Sequence, residues 1–156
     1  MNLKKSLFSF VLISAFAISQ AFAHCQIPCG IYDDEVRISL MREHVKTIEK
    51  GMNQILELSA KDAKNYNQIV RWVSNKDEHA DELEKIVTEY FLAQRIKPSD
   101  SSKKEAHAKY LEKITMLHEM IVYSMKAKQT TDLANVKKLN SLIDSFEKAY
   151  FEGHKH

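Results

Sequence analysis

The stretch from Glu35 to Leu58, EVRISLMREHVKTIEKGMNQILEL, decides the fold class. Within it Met41, Val45, Ile48, Met52 and Ile55 recur at alternating spacings of four and three. That rhythm is the apolar seam of a packed helix, not the strict alternation of a half-buried strand. The polar run Ser59 to Lys64 closes the helix.

Working outward, three more segments keep a helical rhythm. Tyr66, Ile69, Val73, Lys76, Ala80, Leu83, Val87 and Tyr90 hold the same spacing. Lys76 is the odd member, and Ser74 to Glu78 is polar, yet the apolar phase is kept on both sides. One long helix is therefore expected, ended by Pro98 and Ser99-Asp100-Ser101 because proline disfavours helix just before itself. Ser102 to Glu105 reads as a capping box opening a third helix, with a seam of Ala106, Tyr110, Ile114, Leu117, Ile121 and Met125. Thr130 or Thr131 is the expected N-cap of the fourth, whose seam is Val136, Leu139, Ile143, Phe146 and Tyr150. Short connections make successive helices antiparallel. The prediction is an all-α chain, an up-down-up-down four-helix bundle over residues 33–156.

The other end of the sequence is a targeting signal. Lys4 and Lys5 precede an apolar run from Leu7 to Ile18, and Ala21-Phe22-Ala23 matches the small-x-small cleavage pattern. Residues 1–23 are thus expected to be cut off, exporting a chain that starts at His24 to the periplasm or the extracellular space. The apolar run is shorter than the about 20 residues a membrane helix needs, and no later candidate follows, so no membrane contact is expected after cleavage. The whole chain has 23 Lys and Arg against 21 Asp and Glu. Losing Lys4 and Lys5 balances the two, which argues against nucleic acid, whose binders carry a basic footprint.

A bundle names no function, so polar groups decide. Di-iron bundles need Glu-x-x-His pairs, and none precedes His44, His79, His107 or His118. These four read as solvated helix-face residues. Cys-x-x-Cys-His, the haem attachment signal, is absent. One segment stands outside the bundle pattern: His24-Cys25-Gln26-Ile27-Pro28-Cys29-Gly30-Ile31-Tyr32. It holds both cysteines of the chain and an imidazole, and cleavage adds the α-amine of His24, with a pKa of about 7.7–8.0. Pro28 and Gly30 let the chain turn so that Cys29 comes back towards Cys25. Amine, backbone nitrogen and thiolate along one strand form nearly planar chelate rings, which suit Ni(II) or Cu(II); physics alone does not choose between them.

The pattern His24-Cys25-x-x-Pro28-Cys29-Gly30-x-Tyr32 resembles the nickel hook of the nickel superoxide dismutases, and Glu89-Tyr90-Phe91 before the turn at Pro98 is a fainter likeness. The resemblance implies a hook over residues 24–32 holding one nickel ion per chain. The His24 amine, the Cys25 amide nitrogen and the Cys25 and Cys29 thiolates would make the square plane, with the His24 imidazole axial. It further implies Tyr32 above the metal, a cis Ile27–Pro28 bond, superoxide as substrate, and a homohexamer. Two positions depart from the family: Gln26 replaces an acid, and Asp34 stands where many members have proline. The Glu and Arg that support the axial histidine in some members have no clear match; Arg37, Arg71 and Lys76 are the substitutes on offer. Two other readings fit the same residues: a non-enzymatic exported bundle with a Cys25–Cys29 disulfide, and a nickel or copper carrier without turnover.

Overall fold

The computed structural model describes residues 33–152. Among these, helices account for nearly everything outside the connections and no strand occurs. Helix α1 spans Asp34–Ser59 and α2 spans Tyr66–Lys85, continuing without a break as a π-helical segment, Ile86–Arg95. Helices α3 and α4 span Lys104–Gln129 and Leu133–Phe151. Each helix packs on its neighbour in sequence, and α4 closes the ring against α1. This is the expected up-down-up-down bundle. No helix among the described residues is long and apolar enough to cross a membrane.

The seams of α1 and α4 are buried as the spacing predicts: Met41, Val45, Ile48 and Met52 on one, Val136, Leu139, Ile143, Phe146 and Tyr150 on the other. Burial of such side chains stabilises by about 1.5–3 kcal/mol each. The seam of α3 is displaced. Met116, Leu117, Met120, Ser124 and Ala127 face the core, whereas Met125 is 47% exposed and Tyr110, Ile114 and Ile121 only flank the core. Several apolar stripes compete on this helix, and the one that packs carries Ser124 and Ala127, whose small side chains allow close approach. The start of the α2 seam also fails, since Tyr66 is 69% exposed.

Lys76 explains why the polar stretch in α2 does not break the helix. It is 2% exposed, and its Nζ donates to the carbonyls of Ala127 and Lys128 and to Asp77 Oδ1, each at 2.7 Å. Those carbonyls lie in the last turn of α3, where no intrahelical donor is available. A lysine from one helix thus caps the end of another. Its stem runs past Gly51 of α1, where an added Cβ would sit 3.1 Å from Lys76 Cβ.

The helix starts differ from the sequence signals. Asp33, not anticipated as a cap, accepts from the Glu35 amide at 2.8 Å and begins α1. The capping box at Ser102 does not form: Lys103 precedes α3 without a side-chain bond, and Asp100 turns the loop by accepting from the Ser102 amide at 2.9 Å. Asp132 caps α4 through the Ala134 amide, also at 2.9 Å. Thr130 instead ends α3 and accepts from the Asn135 side chain. Only at α4 did an aspartate nearer the helix, Asp132, take the place of the expected threonine; α3 starts with no side-chain cap.

Candidate metal centre

Alternating helix direction brings the start of α1 together with the ends of the π segment and of α4. Asp34, the first residue of α1, is the meeting point. Its Oδ2 accepts from the Tyr150 hydroxyl at 2.8 Å. Its Oδ1 accepts a very short bond from the Tyr90 hydroxyl and lies 2.8 Å from Arg95 Nε. Arg95 also donates to the Tyr90 oxygen at 2.8 Å. The guanidinium groups of Arg95 and Arg37 stand 4.9 and 5.4 Å from the centre of the Tyr90 ring. Behind them Phe91, Phe146 and Tyr150 pack edge to face or tilted, with ring centres 4.9 to 5.5 Å apart.

The π segment makes this arrangement reachable. In an α-helix, neighbours on one face are three and four residues apart, so Tyr90 and Arg95, five apart, would point away from each other. The wider turn closes on i+5, as the Ile96 amide bond to the Phe91 carbonyl shows. Both side chains then reach the same carboxylate.

The charges follow from the contacts. Burial pushes the Asp34 carboxyl up, but the Tyr90 and Tyr150 hydroxyls and the Arg95 guanidinium outweigh it and hold the group below the usual carboxylate range. Burial, and then the hydrogen bond to Asp34, pushes both tyrosines above the ordinary phenol value. Both are therefore fixed as neutral donors, and Asp34 as an anion.

The residues expected to hold metal, His24, Cys25 and Cys29, together with Tyr32, precede residue 33 and lie outside the described residues. So do the residues of the expected signal and hook. Among the described residues there is no group of three or more histidine, cysteine, aspartate or glutamate side chains that could hold a metal ion. A family model for nickel-containing superoxide dismutase matches residues 19–155. The chain belongs to the nickel-containing superoxide dismutase family. Comparison with curated proteins and with solved structures gave no match.

As a nickel superoxide dismutase the chain is an oxidoreductase whose cofactor is nickel and whose substrate is superoxide. The structure sorts the substitutes named for axial support. Arg37 lies at the end of the bundle where α1 begins, beside Tyr90. Lys76 is spent on the end of α3, some 14 residues of helix, roughly 20 Å, from Tyr90. Arg71 lies further still along α2 in the same direction. Sequence reasoning missed Arg95 and the contacts of Asp34, and counted Tyr150 only as core. Two of the histidines read as solvated are not: His44 and His79 meet across α1 and α2 with their Nδ1 atoms 2.8 Å apart. His107 bonds Ser99 at 3.0 Å, while His118 is exposed as expected.

Proposed function

We propose that this nickel superoxide dismutase performs its chemistry at a hook formed by residues 24–32, freed by cleavage behind Ala23. The donors are the His24 amine and imidazole, the Cys25 amide nitrogen and the thiolates of Cys25 and Cys29. Supporting this, the family match runs from residue 19 and takes in the whole segment, and both cysteines of the chain lie in it. The donor chemistry fits: soft thiolates and a deprotonated amine suit nickel, whereas the described residues offer no competing group. Nickel bound there supplies a one-electron couple that oxidises one superoxide to O2 and reduces a second, with two protons, to H2O2. The thiolates stabilise the higher oxidation state by donating electron density. Tyr32, three residues past Cys29, offers a phenol to hydrogen-bond substrate or water.

The same proposal includes export by residues 1–23 and assembly of six chains. The outward Tyr66 and Val70 of α2, 69% and 62% exposed, offer an assembly an apolar surface to cover.

Sequencing, metal analysis and assay of one preparation test the proposal together. The secreted chain should begin His-Cys-Gln, carry about one nickel, and dismute superoxide. A form retaining one residue before His24 should lose both metal and turnover, because its amine is displaced. A chain whose two sulfurs are bonded to each other, without nickel, overturns the hook.

A further inference from the structure

We infer that Asp34 is a positioning residue for the nickel hook: its clamp by Tyr90, Tyr150 and Arg95 fixes where, and in which direction, the hook leaves the bundle. The inference rests on the hook reading above and goes beyond it. No donor to the metal is assigned to Asp34; its role is to act through the chain that joins it to Cys29.

Three observations carry it. First, Asp34 is not needed to start α1. Asp33 already caps the helix, accepting from the amides of Glu35 and Val36 at 2.8 and 3.4 Å. The carboxylate one residue later turns inward and collects partners from positions 56 and 116 residues away. Second, the arrangement is costly. A charged side chain only 24% exposed must recover its lost hydration from its partners. The fold supplies an arginine and two hydroxyls from the ends of two other helices, and departs from α-helical geometry over Ile86–Arg95 to bring two of those three into reach. π segments of this kind gather at functional sites. Third, the reach is short. Asp34 is five residues past Cys29, a span of at most about 18 Å when fully extended. A rotation or tilt of the first turn of α1 therefore moves the anchor from which the hook starts. Side chains that hold a site act by locking such support, and a displacement of about 1 Å can be felt in the chemistry.

The test uses mature holoprotein. Asp34→Asn keeps the shape but replaces an oxygen acceptor with an amide donor facing Tyr90, Tyr150 and Arg95. Nickel release into excess chelator should be about tenfold faster than in the wild type or more, and the electron paramagnetic signal of the oxidised metal should broaden. Tyr150→Phe removes one arm of the clamp while keeping its ring, and should speed release in the same direction by a smaller factor. It also serves if Asp34→Asn does not fold. Lys76→Met, which weakens the fold near the opposite end of the bundle, should lower thermal stability and leave nickel release unchanged, separating positioning from general destabilisation. Wild-type protein that holds no nickel, or holds it equally well with Cys25→Ser, sinks the hook reading and this inference with it. Wild type that holds nickel at the hook, while Asp34→Asn and Tyr150→Phe release it at the wild-type rate with an unchanged spectrum, sinks this inference alone.

Discussion

The Tyr150 hydroxyl donates to Asp34 Oδ2 over 2.8 Å although 116 positions separate the two residues in the chain. The bond ties the last turn of α4 to the first turn of α1. It closes the helical ring at the end where the chain enters the bundle at residue 33.

That contact sets an acid limit. Asp34 ionises more readily in the folded protein than in the unfolded chain. Its stabilisation is complete above the unfolded aspartate pKa of about 3.9 and is lost as pH falls through the lower folded value. Asp34→Ala should cost about 1–3 kcal/mol at pH 7. The gap between variant and wild type should narrow in urea titrations repeated towards pH 2. A gap that stays constant with pH would show that the carboxylate charge is not what matters.

Lys76 makes a second prediction, at the other end of the molecule. Lys76→Met keeps the apolar stem but removes the donor to the Ala127 and Lys128 carbonyls. One buried and one part-buried acceptor without a partner should destabilise the bundle by about 2–4 kcal/mol, read as a lowered denaturation midpoint. Gly51→Ala should act at the same place by crowding the Lys76 stem, with a smaller loss. A Lys76→Met protein as stable as the wild type would mean that water caps α3 equally well.

The histidine pair predicts a milder pH effect. Burial, and then the facing His79, lowers the pKa of His44, while Glu82 and Glu43 pull it back upward. The folded state thus binds a proton less readily than the unfolded chain. The stability this brings is present above the unfolded value of about 6.5 and declines as pH falls from there towards the folded one. Thermal unfolding should drop between pH 7 and pH 5, and His44→Gln should flatten the drop. An equally steep profile in the variant would move the cause elsewhere.

The residues show why some of this was legible in the sequence and some was not. Helices α1 and α4 carry one apolar stripe each, so spacing identified their buried faces. Helix α3 carries apolar residues in several phases, and spacing favoured the large side chains Ile121 and Met125 over the small Ser124 and Ala127 that pack. A buried lysine reads as an interruption until the carbonyls it caps are seen. The π segment has no sequence signature, so the meeting of Tyr90 and Arg95 could not be foreseen. The family was readable because the segment His24 to Tyr32 gathers chemically distinctive residues within nine positions, and the family model matches over that segment. Asp34 was visible only as a departure from the family, since its partners lie on distant helices.

The position of Tyr150, one residue before the end of α4, has a practical consequence. A polypeptide fused beyond Phe151 emerges beside Asp34, where the chain enters the bundle. On the proposed hook, a polyhistidine tag placed there would be an intramolecular chelator at an effective concentration on the order of millimolar, competing with the proposed ligands for nickel. A tag ahead of His24 would block the amine of the proposed hook as well. Residues 60–65, the turn between α1 and α2 at the far end of the molecule, are the better place for a purification handle.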